Sequence, residues 1–230
     1  LEAYNITTVN YNRDVEIFPV LSAIFAQILG ECPYKSPTDM GVNMAGNCIF
    51  DDEVCKEASC QEIIRRYYNC LVDLKRGNSS PAILYKLELL MKQAGITVED
   101  RRVIAAAAAR EETTGAPALA IELPDATLVT GKTSALLGAA SACLLNALKI
   151  LAGLAHELHL VSPDAIRPIQ SLKTDYLGSS NPRLHTDEIL IALSISAASD
   201  SNAARALAAL PLLRGCEVHS TVLLSPVDEG

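Results

Sequence analysis

The segment that most constrains the fold runs from residue 118 to residue 154 and reads ALAIELPDATLVTGKTSALLGAASACLLNALKILAGL. A Pro-Asp turn at residues 124–125 separates two short apolar runs, and residues 127–130 are mostly β-branched, which predicts a hairpin of two strands. The tetrapeptide GKTS at residues 131–134 then opens a long apolar stretch. We therefore expect a strand hairpin followed by a helix that is buried against a sheet.

The GKTS tetrapeptide matches the end of the phosphate-loop pattern G-x-x-x-x-G-K-[ST]. The first glycine of that pattern falls on Ala126, and the residues that should form a bare loop read as a strand, which excludes a loop for a nucleoside triphosphate. A weaker hypothesis remains, in which Thr133 or Ser134 caps the helix and its free amides bind an anion beside Lys132. The alternative is a plain capped helix with a solvated lysine.

A hairpin that precedes a helix resembles the core of cytidine-deaminase-like domains. Those domains carry H-x-E or C-x-E in the first turn of the helix and P-C-x-x-C at a second helix. Here the helix start reads Leu136-Leu137-Gly138, and Cys143 stands alone. The resemblance therefore implies the fold without its zinc site, and we expect no metal site.

The chain divides near the run EETTGAP at residues 111–117, where helix formers give way to turn residues. Residues 1–112 read as a helical subdomain, with helices predicted at 14–29, 51–76, 81–94 and from a Thr97–Asp100 capping box through the alanines of 105–109. Residues 113–230 alternate, with strands predicted at 118–122, 127–130, 158–161 and 217–224 and helices at 133–152, 163–175, 187–198 and 201–210. The predicted class is α+β or α/β, a helical subdomain followed by a three-layer α/β subdomain.

The charge and the cysteines of the chain indicate which partners and which cellular compartment to expect. The formal net charge is -8 without a run of Lys or Arg, which argues against nucleic acid or a membrane surface as partner. The apolar stretch 135–154 is interrupted by Asn146 and Lys149, so we interpret it as a buried helix. The seven cysteines are irregularly spaced, which favours a reducing cytoplasm. The chain begins without a methionine or a signal peptide, so we expect a cytoplasmic fragment.

Three polar loops supply candidate ligand groups. They are residues 11–14 with Arg13; residues 35–46 with Lys35, Thr38, Asp39 and Asn43; and residues 181–188 with Arg183 and His185. Turns and helix caps are the alternative interpretation of these loops. His185 is a candidate general base, although a lone histidine is more often structural.

The run at residues 156–159 is close to a zinc-protease motif but does not complete it. The pattern H-E-x-x-H puts two histidines on one helical face, whereas His156-Glu157-Leu158-His159 is one residue short and lies at a predicted helix-to-strand crossing. We interpret this run as chance. His185 and His219 could meet in space, but their sequence positions do not show it.

Five strings resemble the C-terminal half of the uncharacterised bacterial protein family numbered 0371: VNYNRDVEIFPVL, PYKSPTDMGVNMAG, VTGKTSALLGAASA, NPRLHTDEILIALSISA and LRGCEVHSTVLLS. The resemblance implies a helical subdomain followed by a deaminase-like subdomain, a cytoplasmic setting, and an N-terminal half that is absent here. Some members carry the label of ATP-dependent zinc proteases, which nothing in this sequence supports. The resemblance brings no established activity and no cofactor.

Two hypotheses follow. In the first, the chain is part of an enzyme for a phosphorylated or nucleotide-like small molecule, with His185, His219 or Asp39 as catalytic candidates. The anion would be held by Arg13, Lys35, Thr38, Asn43, Lys132, Thr133, Ser134 and Arg183. In the second, the chain is a non-catalytic module that forms homo-oligomers and docks the absent N-terminal domain. We favour the first because glycine-bearing polar loops are costly as mere connectors.

Overall fold

The computed structural model describes the backbone of residues 11–32 and 52–229, and the side chains of these residues except 11–19, 52–56 and 59. The chain divides into two compact units, Leu1–Arg101 and Arg102–Gly230. Each unit is described by itself below. The predicted domain division after residue 112 remains a prediction.

The first unit is helical where it is described. Its elements are α1 (Tyr11–Leu29), α2 (Asp52–Arg76), α3 (Pro81–Ala94) and a 3-10 turn (Val98–Asp100). Helix α3 begins with a proline, where a missing N–H costs no hydrogen bond, and ends at Gly95 in the left-handed conformation. The predicted Thr97–Asp100 capping box is confirmed, because the Thr97 amide donates to Asp100 Oδ2 at 2.7 Å. The box starts only the 3-10 turn: Arg101 is extended, and the helix predicted to run from the box through residues 105–109 begins separately at Arg102.

The second unit holds six helices and three strands within its described residues. They are α4 (Arg102–Thr114), β1 (Ala118–Glu122), β2 (Leu128–Lys132), α5 (Ala139–Leu151), α6 (Pro163–Ser171), α7 (Thr186–Ala197), α8 (Ser201–Ala208), β3 (Glu217–Ser220) and α9 (Pro226–Glu229). A π-helical turn (Leu172–Tyr176) continues α6, and a 3-10 turn (Leu210–Leu213) follows α8.

The strands form one antiparallel sheet in the order β2-β1-β3. Leu119 and Ile121 of β1 belong to the core that contains Cys143 of α5. Ala120 points to the opposite face, where it packs with Val103 and Ala107 of α4. Because alternate residues of β1 are buried under different helices, the sheet has an apolar layer on each side. The class is α+β, and a deaminase-like topology stays a prediction.

The hairpin turn shows what the first position of the phosphate-loop pattern does in this chain. Ala126 lies at φ 64°, in the left-handed region that favours glycine, and its amide donates to the Leu123 carbonyl at 2.9 Å. The Thr127 amide donates to Asp125 Oδ1 at 3.0 Å, which closes an Asx turn. The first position of the pattern is therefore a turn position between two strands.

Two predicted elements were wrong. The helix predicted from residue 133 begins at Ala139, because β2 continues through Lys132 and residues 133–138 form a loop. Residues 158–161 are not a strand: Leu160 and Val161 are buried in a cluster of helices, and a short apolar run is equally suited to such a core. β3 is also shorter than the predicted strand 217–224 and ends at Ser220.

Candidate functional site

Two loops that the chain separates by more than forty residues are joined in the second unit. Leu137 and Leu184 form an isolated parallel bridge, with the Leu184 amide donating to the Leu136 carbonyl at 3.0 Å. The Leu184 carbonyl accepts from the Gly138 amide at 3.2 Å and from Ser141 Oγ at 2.8 Å. Because Leu184 is fully buried, these bonds fix the residue before His185 against the start of α5.

His185 pairs with a carboxylate from the end of the described chain. Its Nδ1 lies 2.8 Å from Asp228 Oδ2. The same carboxylate accepts from the Thr186 amide at 3.0 Å and from Ser225 Oγ at 2.9 Å. Burial raises the pKa of Asp228, but the hydrogen bonds from His185, Thr186 and Ser225 outweigh it and hold the pKa below its usual value. Asp228 is therefore ionised near neutral pH.

The contact with Asp228 determines which ring nitrogen of His185 keeps a lone pair that can accept a proton. A carboxylate at Nδ1 favours the neutral tautomer with its proton on Nδ1 and a lone pair on Nε2. Nε2 has a single, long contact, 3.4 Å to Asn181 Nδ2. Asn181 Oδ1 accepts from the Arg183 amide at 3.1 Å, so its NH2 group is the one that faces the ring. The side chain of His185 remains 24% exposed.

A buried lysine, Lys173, stabilises the loop that carries Arg183 and His185. Lys173 Nζ donates to Glu188 Oε2 and to the Arg183 carbonyl, each at 2.7 Å. Glu188 Oε2 also accepts from the His185 amide at 2.8 Å, so one carboxylate joins the lysine to the histidine backbone. Asp228 accepts from the Thr186 amide, the first of α7, and Glu188 accepts from the amide of His185, the residue before the helix.

The cationic candidates of this region differ in their partners. Arg183 Nε donates to the Ser134 carbonyl at 2.8 Å, and its two terminal nitrogens have no protein partner within the described part of the chain. Lys132 ends β2 with its side chain exposed. Ser134 Oγ accepts from the Leu136 and Leu137 amides at 3.2 and 3.1 Å. Its hydroxyl therefore caps a local turn and not a helix, and Gly138 is the residue before α5.

The remaining candidates lie elsewhere or are not described. The amide of Thr133 donates to the Pro117 carbonyl at 2.8 Å. His219 lies in β3 opposite Ala120, and the partners of His185 do not include it. Arg13 lies in α1, but its side chain is outside the described residues. Lys35, Thr38, Asp39 and Asn43 are also outside them, so their roles stay predictions.

Sequence reasoning missed Asp228, Ser225 and Lys173. Ser225-Pro226-Val227-Asp228 fits the start of a capped helix, a proline at the first turn with an acid two residues later. That pattern predicts α9, but nothing in it points to a histidine 43 residues away.

The arrangement is not a serine-protease triad. Ser225 Oγ approaches the Nδ1 side of the ring, at 3.4 Å, whereas a nucleophile of that mechanism faces Nε2. The geometry supports proton transfer at Nε2 instead.

Among the residues that the structure describes, no three His, Cys, Asp or Glu side chains are placed to hold a metal ion. No described helix is long and apolar enough to cross a membrane.

Comparisons with known proteins place relatives across the whole chain. A model described as the N-terminal domain of unknown function DUF1846 matches residues 1–95, and the C-terminal DUF1846 model matches residues 99–230. UPF0371 proteins of Corynebacterium urealyticum, Corynebacterium glutamicum and Streptococcus thermophilus are 55%, 57% and 56% identical over all 230 residues. The chain makes up 46%, 46% and 47% of them, about half their length. Neither domain description names an activity.

Proposed function

We propose that this chain, which belongs to the uncharacterised UPF0371 family, supplies an acid–base site to an enzyme that acts on an anionic small molecule. His185 is the group that exchanges the proton, through Nε2. Asp228 orients the ring through Nδ1. Arg183 holds the anionic group of the substrate. The substrate class is a phosphorylated or nucleotide-like compound, and the setting is the cytoplasm.

The observation that carries the proposal is the 2.8 Å contact between His185 Nδ1 and Asp228 Oδ2. A histidine that only fills a core has both nitrogens satisfied by the protein. Here one nitrogen binds a carboxylate that has three donors, and the other is left with one long contact beside solvent. A carboxylate on Nδ1 orients the ring and favours the tautomer that leaves the Nε2 lone pair free, which is the arrangement that general acid–base catalysis requires.

The charge of the neighbouring loop supports an anionic substrate. Arg183 is two residues from His185, and its backbone carbonyl is fixed by Lys173. Its guanidinium is oriented by the Ser134 carbonyl, and its terminal nitrogens have no protein partner among the described residues, which leaves a fork suited to phosphate or carboxylate. Arg13, Lys35, Thr38, Asn43, Lys132, Thr133 and Ser134 remain predicted anion ligands, and Asp39 and His219 remain predicted catalytic candidates.

The proposal is tested by turnover in the full-length protein. A panel of phosphorylated metabolites and nucleotides is incubated with the wild type, and products are detected by mass spectrometry. We expect one compound class to be converted, and the conversion to be lost in His185→Gln and reduced in Asp228→Asn. His159→Gln is the matched control, because His159 is exposed and has no partner among the described residues. Turnover that survives in His185→Gln refutes the assignment.

A second candidate function rests on a different observation. Helix α7 buries Ile189 and Leu193 but exposes Ile191 and Ile195 by 61% and 69%. An apolar pair four residues apart on an exposed helical face is typical of a docking surface. The alternative is therefore a non-catalytic module that docks the rest of the protein or a second copy. Two results together would favour this module. None of the phosphorylated metabolites and nucleotides is converted, and sedimentation shows that Ile191→Glu disrupts the assembly of the protein.

A further inference from the structure

One half-buried arginine of the second unit has a buried side-chain nitrogen without a partner among the described residues. Arg110 lies near the end of α4, and its Nε is shielded from solvent and makes no hydrogen bond. No other part of its guanidinium has a partner within the described residues. Native proteins pair nearly all buried polar groups, and an unpaired guanidinium nitrogen is costly. An unsatisfied group of this kind indicates a missing ligand.

The packing of α4 places Arg110 at the start of β1. Arg102 Nη1 pairs with Glu122 Oε1 at 2.6 Å, which aligns the start of α4 with the end of β1. A helical rise of about 1.5 Å per residue puts Arg110 roughly 12 Å along α4. A strand rise of about 3.4 Å puts Ala118 roughly 14 Å along β1 from Glu122. Arg110 is therefore level with Ala118.

Arg110 also faces the sheet. Val103 and Ala107 of α4 pack against Ala120. Arg110 comes seven residues after Val103 and three after Ala107, a spacing that puts all three on the same face of the helix. Ala118 and Ala120, on this face of β1, are fully buried.

A second unpaired cation lies beside it. Lys132 is the register partner of Ala118 on β2. Val129 of β2 packs toward α5, so Lys132, three residues on, points to the α4 face. Its ammonium has no protein partner among the described residues, and the Glu122 carboxylate at the other end of β1 is already paired with Arg102. His219 is the register partner of Ala120 and lies on the same face.

We propose that Arg110 and Lys132 form an oxyanion site on the α4 face of the sheet, at the start of β1. The ligand is the phosphate or carboxylate group of a small molecule. Arg110 supplies a preoriented, partly desolvated guanidinium, and Lys132 supplies a mobile point charge at the exposed edge. The site does not include the His185–Asp228 pair, and it assigns Lys132 to this second anion and not to the substrate of His185.

The test is calorimetric titration of the full-length protein with inorganic phosphate. Arg183→Gln is used as the parent, so that the anion contact of the His185 loop is removed from the measurement. We expect phosphate to bind this parent, and Arg110→Gln and Lys132→Gln each to weaken binding about tenfold. Arg214→Gln is the matched control, because Arg214 is exposed and has no side-chain partner among the described residues.

Three results would overturn the site. The first is phosphate affinity that Arg110→Gln leaves unchanged. The second is phosphate binding that the Arg183→Gln parent has already lost, which assigns the anion to the His185 loop. The third is a parent that binds no phosphate while Arg110→Gln lowers the melting temperature of the full-length protein. That result assigns the guanidinium to a carboxylate elsewhere in the protein. None of these results bears on turnover by His185, so the two proposals fail separately.

Discussion

Replacing Gly131 with alanine is expected to destabilise the second unit by about 3 kcal/mol, because there is no space for a methyl group at this position. A Cβ built on Gly131 would lie 2.5 Å from Cα and 2.7 Å from Cβ of Cys143, and would overlap the backbone nitrogen of that residue. Cys143 is fully buried in α5, so the helix cannot shift without disturbing the core between α5 and the sheet. Urea unfolding of the full-length protein measures the loss.

Gly138→Ala is the matched control for this prediction. A Cβ there would lie 3.7 Å from the Leu184 carbonyl oxygen, an ordinary contact, and the residue has φ -68°, which alanine adopts freely. We expect a change of about 1 kcal/mol or less, reflecting only the poorer capping by alanine. Equal effects of the two substitutions would contradict the packing explanation. A larger effect at Gly131 would show that this glycine serves helix–sheet packing, whatever ligand Lys132 binds.

Replacing Lys173 with alanine is expected to cost about 3 kcal/mol and to loosen the His185 loop. The lysine side chain is only 9% exposed, and its ammonium satisfies both Glu188 and the Arg183 carbonyl at 2.7 Å. Removing it leaves a partly buried carboxylate and a carbonyl without their donor. Because Glu188 also holds the His185 amide, we expect faster hydrogen exchange at that amide.

Arg167→Ala provides the comparison for Lys173→Ala. Arg167 pairs with Asp164 at 3.3 Å, but the two side chains are 70% and 87% exposed. Such a pair contributes about 0.5 kcal/mol, because water screens it and both side chains lose freedom. If Lys173→Ala cost no more than Arg167→Ala, or left exchange at His185 unchanged, Lys173 would have no positioning role in the site.

The parts of the fold that follow local rules were predicted from the sequence. Pro81 and Gly95 mark the ends of α3, the Thr97–Asp100 box was read from its spacing, and the hairpin follows from its turn and its β-branched strand. The start of α5 was not predictable. Gly131 and Lys132 belong to β2 because α5 packs directly on Gly131, a contact that no local pattern encodes.

In the candidate site, too, some residues could be predicted from local sequence and others depend on tertiary contacts. His185 and Arg183 were found because they lie in a polar loop, whereas Asp228 and Lys173 were not. Asp228 is 43 residues from the histidine that it orients. Lys173 reads as one more charged residue of a helix until its burial is known. Both roles arise from tertiary contacts, so only the folded chain reveals them.

The side-chain nitrogens of His185, observed by 15N–1H NMR in the full-length protein, test the acid–base site most directly. With Asp228 at Nδ1, the neutral form of the ring is expected to carry its proton on Nδ1 and to leave Nε2 unprotonated. This pattern should be lost in Asp228→Asn and kept in Asp164→Asn, whose carboxylate is exposed. A neutral His185 protonated at Nε2, or an identical spectrum in Asp228→Asn, would contradict the assignment of His185 as the proton-transferring group.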